Sequence, residues 1–260
     1  MIKLSTLIIV ILVSTSLHAA LTACPNGEAP ITGFAQNFVT DARIDNAVIK
    51  VLETGEVYKT NSNGRFSFCQ PIGSQITLTL NKSGFHEVQT ATYRVSALGF
   101  QGPYNEITFQ VPGTLTYQLM KFTISTLRKV TLDPKKCTLV TTIAGYHKTL
   151  ADDPQGEPDA TLTLENKNNM AMMLVGNKPY YFGIFNSGPL KGKTNIFTPN
   201  LTKTSLDGGV LVYNLNPQSE DGLYTLSAVK GGKEFTRTKI WCRAGALINV
   251  SPPSGPTVIQ

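Results

Sequence analysis

Thr60-Asn61-Ser62-Asn63-Gly64-Arg65-Phe66-Ser67-Phe68 decides how the chain is read, because its pattern returns at Thr204-Ser205-Leu206-Asp207-Gly208-Gly209-Val210-Leu211-Val212. Asn-Gly and Asp-Gly are strong short turn signals, since both residues of each pair tolerate positive φ. The residues that follow alternate, Phe66 and Phe68 matching Val210 and Val212, which is the period of a half-buried strand.

The match extends both ways from this stretch. Upstream, Gly33-Phe34 opens a segment that runs to Asp41, followed by Ala47-Val48-Ile49-Lys50-Val51-Leu52-Glu53. Its counterpart runs from Gly145-Tyr146 to Asp152 or Asp153, followed by Ala160-Thr161-Leu162-Thr163-Leu164-Glu165. Downstream, Ile76-Thr77-Leu78-Thr79-Leu80 ends at Lys82-Ser83-Gly84, and Leu223-Tyr224-Thr225-Leu226-Ser227-Ala228 ends at Lys230-Gly231-Gly232. Turn signals every roughly 8–12 residues between β-branched and aromatic runs predict antiparallel sandwiches. Landmarks repeated in one order predict two of them in tandem. The expected fold is therefore all-β, with sandwiches over residues 21–112 and 137–260 and a bridge over 113–136. In the bridge, Leu115, Leu119, Phe122 and Leu127, with Tyr117 and Met120, suit one helical face, Thr114 suits an N-cap, and Asp133-Pro134 suits a stop, although β-branched Thr123-Ile124 and Thr126 equally suit a strand; a short bridging helix is expected.

Gly33, Asp41, Ala47-Val48-Ile49-Lys50-Val51, Thr60, Asn63-Gly64-Arg65-Phe66 and Lys82-Ser83-Gly84-Phe85 resemble the carboxypeptidase regulatory-like domain. The resemblance covers roughly residues 30–95 well and 138–240 weakly. It implies a transthyretin-like (prealbumin-like) seven-stranded sandwich with a binding or structural role, and it carries over no catalytic residue.

Composition excludes several classes. In 260 residues, 41% are hydrophobic and 15% charged, with a net charge of +6. This is too apolar for a disordered chain and too poor in charge for a coiled coil. No apolar run reaches the length of a multi-pass membrane protein's spans. The charge is local. Residues 113–136 carry Lys121, Arg128, Lys129, Lys135 and Lys136 against Asp133, which gives +4. That is a weak attraction for acidic surfaces and not the clustered basic and aromatic face of a nucleic-acid binder.

Residues 1–20 have the form of a signal peptide. Lys3 is followed by an apolar run over 4–13, interrupted by Ser5 and Thr6, and then by Leu17-His18-Ala19-Ala20. Leu21-Thr22-Ala23-Cys24 also resembles a bacterial lipobox, in which Cys24 would carry a lipid anchor. Lipidation would leave Cys69, Cys137 and Cys242, an odd number for an oxidising compartment. Four cysteines allow three connectivities. The cheapest keeps each bond within one half, as Cys24–Cys69 and Cys137–Cys242.

Chemistry-bearing motifs are sparse. Beyond residue 20 the only histidines are His86, in a turn, and His147, expected in a strand, and no HExxH, GxSxG or phosphate-cradling glycine loop occurs. No cofactor is expected. Asp152, Asp153, Glu157 and Asp159 fall within eight residues and supply oxygen ligands suited to calcium, without the alternating spacing of a calcium loop. From Ala47 to Gly64 is 17 positions and from Ala160 to Gly208 is 48, which places an insertion in the second half, over residues 166–203. It holds Met170, Met172 and Met173, and then Tyr180, Tyr181, Phe182 and Phe185. These aromatics suit either a stacking platform for a sugar or protein, or an extra strand facing the core. The expected protein is a secreted or periplasmic, non-catalytic binder of a glycan or protein at a cell surface or host interface. A lipid-anchored structural envelope protein and a secreted carboxylate-dependent hydrolase are the alternatives.

Overall fold

The computed structural model describes residues 23–101, 105–168, 178–189, 191–197, 201–252 and 254–259. The expected signal peptide at 1–20 and the methionines Met170, Met172 and Met173 lie outside the described residues. The first half contains β1 (Glu28–Asn37), β2 (Val48–Val51), β3 (Val57–Lys59), β4 (Arg65–Pro71), β5 (Gln75–Asn81), β6 (Val88–Arg94) and β7 (Ile107–Val111). Helix α1 (Thr114–Arg128) follows. The second half contains β8 (Cys137–Thr142), β9 (Thr161–Glu165), β10 (Tyr180–Tyr181), β11 (Gly183–Ile184) and β12 (Thr194–Asn195). It ends with β13 (Gly209–Leu215), β14 (Tyr224–Val229), β15 (Thr238–Ile240) and β16 (Leu247–Val250).

The two halves repeat one pairing scheme, as two β-sandwiches in tandem. Strand β1 pairs antiparallel with β4 and parallel with β7, and β8 pairs antiparallel with β13 and parallel with β16. Across the core, β5 is flanked by β2 and β6, and β14 is flanked by β9 and β15. Inward residues fall at alternate positions. In β4 these are Phe66, Phe68 and Gln70, and Phe68 stacks on Tyr58 with 4.1 Å between ring centres.

The repeat reaches single atoms. Thr60 Oγ1 accepts from the Ala47 N–H (2.8 Å) and donates to the Ile44 carbonyl (2.8 Å). Thr204 Oγ1 accepts from the Ala160 N–H (2.9 Å) and donates to the Glu157 carbonyl (2.6 Å). Both threonines are buried. The turns match too. Ala35 N–H donates to the Gly64 carbonyl (2.8 Å) and Ile143 N–H to the Gly208 carbonyl (2.9 Å). Only the glycine of each turn pair takes positive φ, 69° at Gly64 and 75° at Gly208, whereas Asn63 and Asp207 do not. The turn signal is borne out as a turn in a loop between strands that pair with other partners. In the first, Asn61 Oδ1 accepts from the backbone of Asn63 and Arg65. A Cβ at Gly208 would lie 2.5 Å from the Ile143 oxygen, so close packing as well as φ requires glycine there.

The halves are not separate sheets. Strand β6 pairs with β15 at Thr92 and Lys239 and with β16 at Gln89 and Ile248. Gln89 also donates to the Trp241 carbonyl (2.6 Å), and Tyr93 bonds to Ser254 (2.9 Å). One apolar cluster joins Ile31, Ile49, Phe66 and Phe109 of the first half to Val140, Leu211, Tyr213 and Leu247 of the second, with Met120 and Ile124 of α1 between them.

Helix α1 corrects two expectations. Its N-cap is Gly113 rather than Thr114, and no side chain caps it. The chain leaves the helix at Lys129, in the left-handed region (φ 52°), ahead of Asp133-Pro134. The face that packs inward is Met120, Thr123 and Ile124, with Tyr117 beside it, over Leu211, Tyr213 and Leu247. Leu115, Leu119, Phe122 and Leu127 face outward. Two apolar stripes share this helix, and spacing alone does not rank them.

The disulfides are Cys24–Cys69 and Cys137–Cys242, closing separations of 45 and 105 residues. Each staples one half. With its sulfur bonded to Cys69, Cys24 has no thiol to carry a lipid, so the lipid-anchor expectation is corrected for this structure. No described helix is long and apolar enough to cross a membrane.

Candidate functional site

Strand β9 ends one edge of the 11-stranded sheet, and after the insertion the chain is found at its other edge. There β10 adds to the edge of β13 through Tyr180 with Leu211 and Tyr181 with Val210. In the first half the corresponding chain stays on its own sheet as β3, paired with β2. The reason is side-chain demand. Tyr180 is 1% exposed and Tyr181 and Phe182 are each 3% exposed, so this edge strand completes the core. Tyr181 Oη accepts from the Leu162 N–H (3.0 Å), and Tyr180 Oη donates to the Ile196 carbonyl. Phe182 packs against bare Gly209, where a Cβ would lie 2.3 Å from its ring. The stacking-platform expectation is therefore corrected for Tyr180, Tyr181 and Phe182.

Phe185 is different. After β10 the chain turns out into the β11–β12 hairpin, with Gly183 opposite Asn195 and Ile184 opposite Thr194. Phe185 continues directly from β11 within this hairpin, half-buried, its N–H donating to the Lys193 carbonyl (2.9 Å). Beside this hairpin lies an open cleft of about 430 Å³. Its walls are Ile184, Phe185, Asn186, Ser187, Asn195, Phe197, Leu201 and Ser205, with Gly183 at the back. Phe197 is 50% exposed. Among the described residues, no charged side chain lines the cleft. Its walls combine aromatic and aliphatic surface with amides and hydroxyls, an apolar lining with a few polar groups. Sequence reasoning found Phe185 and missed Phe197, a lone aromatic beyond the aromatic run, and also missed the amides Asn186 and Asn195. Only the hairpin brings them together.

The floor is anchored by the Asp-Gly turn. Asp207 accepts from the Gly209 N–H (2.9 Å) and from Thr194 of β12. Burial pushes the Asp207 carboxyl above the usual carboxylate range, and these two hydrogen bonds oppose the shift. Ser205 Oγ donates to the Phe182 carbonyl (2.8 Å), tying the cleft wall to the core edge.

The calcium candidates do not converge. Asp152 accepts from the Thr149 N–H (2.7 Å) and Oγ1 (3.0 Å), and Asp153 pairs with Lys193 (2.8 Å). Glu157 is held by Lys230 and by Lys233 (2.7 Å), while Asp159 occupies a left-handed turn (φ 59°). Among the described residues no three His, Cys, Asp or Glu side chains gather as metal ligands. His147 lies in a turn rather than a strand, at φ 55°, against Tyr146. His86 stacks on Tyr117, with 3.5 Å between ring centres, and burial and then Lys121 hold its pKa below the ordinary imidazole value.

No family model matches the sequence, and no curated protein matches it. Solved structures resemble it only distantly. The minor pilin GBS52 of Streptococcus agalactiae is 11% identical, covering 89% of this chain and 97% of the pilin, with a TM-score of 0.25. The shaft pilin SpaA of Lactobacillus rhamnosus GG is 9% identical, covering 90% and 98%, with a TM-score of 0.26. The Bacillus anthracis TIE protein is 11% identical at a TM-score of 0.25, and the alignment takes in 88% of this chain and about a third (34%) of that one. Likeness at this level carries no argument about what the chain does.

Proposed function

We propose that the protein is an exported, non-catalytic binding protein that holds a neutral glycan in the cleft beside the β11–β12 hairpin. The observation that carries this reading is the cleft lining, in which Phe185 and Phe197 stand among Asn186, Asn195, Ser187 and Ser205 with no charged side chain among the described residues. A sugar ring offers an apolar face to the aromatics and hydroxyls to the amides. The two disulfides support an oxidising compartment, since such bonds persist mainly outside the cytosol. The carboxypeptidase regulatory-like, transthyretin-like reading of each half belongs to the same proposal. It is supported by the repeated strand pairing and by the paired roles of Thr60 and Thr204.

A glycan array probed with the wild type and with a Phe185→Ala, Phe197→Ala variant tests the proposal. A set of neutral glycans bound by the wild type and lost by the variant is expected. An array on which the wild type binds nothing, or binds equally well after the substitutions, would refute it.

A further inference from the structure

Helix α1 presents an apolar stripe to solvent that the fold does not use. Leu115 is 83% exposed, Leu119 54% and Phe122 67%. At 100° per residue these three lie within about 60° of one another and roughly opposite buried Ile124. Exposed Lys129 caps the C-terminal end of the helix. Lys135 and Lys136 follow beyond the helix, and residues 107–132 contain no acidic residue; Lys121 stands on the inward flank, its ammonium 5.7 Å from the Tyr117 ring. Among the described residues, no salt bridge involves Lys121, Lys129, Lys135 or Lys136.

We infer that α1 is a contact helix for an anionic lipid surface, which takes Leu115, Leu119 and Phe122 into the headgroup–acyl boundary and pairs the lysines with lipid phosphates. This inference is independent of the glycan cleft, which lies on the insertion. Interfacial helices combine one apolar face with cationic flanks, and each Lys near an anionic leaflet adds to the attraction. Charge complementarity selects the occupant. A lipid surface supplies apolar interior and negative headgroups in one plane, matching an apolar stripe followed at its C-terminal end by Lys129, Lys135 and Lys136, none of which forms a salt bridge among the described residues. Size argues the same way. A specific protein interface buries about 800 Å² per partner, and three side chains on one helix offer only a fraction of that. The far face of the helix is locked on the sandwich through Met120 and Ile124, so the stripe can enter a bilayer surface without unfolding anything.

The full chain carrying Phe122→Trp, compared with wild type, whose single tryptophan is Trp241, tests the inference. Residues 1–20 have their own apolar run, so the readout is placed on the helix. Vesicles of phosphatidylglycerol and phosphatidylcholine with brominated acyl chains should blue-shift and quench the added emission. Vesicles of phosphatidylcholine alone should leave it unchanged. Lys129→Glu, Lys135→Glu and Lys136→Glu together should weaken the response at least tenfold. Emission that responds to neither vesicle overturns the inference, as does equal quenching in both lipid compositions. A blue shift that grows with protein concentration in the absence of lipid also overturns it, because a second copy would then be the occupant.

Discussion

At the scale of single residues, Thr60 and Thr204 carry the account. Each hydroxyl closes a buried loop by serving one N–H and one carbonyl. Valine has nearly the same shape and leaves both groups unpaired. Thr60→Val and Thr204→Val should each cost about 1–3 kcal/mol in chemical denaturation. A change below about 0.5 kcal/mol at either site would count against their equivalence. These two threonines were visible as landmarks in the sequence, but their shared hydrogen bonds were not, because spacing does not show which loop a hydroxyl faces. His86 gives a second residue-level expectation. Its folded pKa is lowered, first by burial and then by Lys121, so the fold favours the neutral ring. Its contribution is complete above about pH 6.5 and declines as pH falls below that value, where the unfolded imidazole protonates first. A proton NMR titration should place the His86 midpoint below that of a free imidazole, and Lys121→Ala should raise it. Glu157 shows the same direction of pH dependence for a different reason. Burial pushes its pKa up, yet Lys230 and Lys233 together outweigh this and hold it low. Its stabilising effect is therefore present at neutral pH and disappears in acid, as pH falls through the folded pKa.

At the scale of elements, helix α1 and the insertion show what patterning could and could not decide. Strand existence was legible, since β2, β4, β5, β9 and β14 fall on the alternating runs. The helix was legible, but its orientation was not. Leu115, Leu119 and Phe122 form as good a stripe as Met120 and Ile124, and the choice was made by the Leu211, Tyr213 and Leu247 surface that the helix meets. Leu119→Ser should therefore leave stability within about 0.5 kcal/mol, as for an ordinary surface change, whereas Ile124→Ala should cost about 2–4 kcal/mol. Thermal melts of the two variants decide this, and reversed magnitudes would mean that the helix is turned over. The aromatic run at 180–185 was legible as a feature, yet one residue of four faces the cleft, because the edge of β13 claims Tyr180, Tyr181 and Phe182 for the core. The disulfides close loops of different size. In the chain-entropy model the 45-residue and 105-residue separations are worth about 4 and about 5 kcal/mol. Replacing Cys137 and Cys242 with alanine should cost at least as much as replacing Cys24 and Cys69, as read by urea midpoints.

At the scale of the whole molecule, two equivalent halves are joined by more than a linker. Strand β6 pairs with β15 and β16, and one apolar cluster runs through both halves and the helix. This shared sheet was not legible from the repeat, which predicts the pairing within each half and says nothing of how the halves meet. Heat should melt the chain in one transition, and Ile49→Ala in the first half should lower the midpoint reported by Trp241 in the second. Against this rigid body, the insertion hairpin stands out as the part that the first half lacks, and it holds the cleft on which the functional proposal rests. The most direct measurement is backbone NMR of the chain titrated with a neutral glycan selected on the array. The account predicts saturable shifts centred on Phe185, Asn186, Asn195 and Phe197, with the matching loop of the first half unmoved. Shifts centred anywhere else, or a glycan that moves no cleft amide, would contradict it.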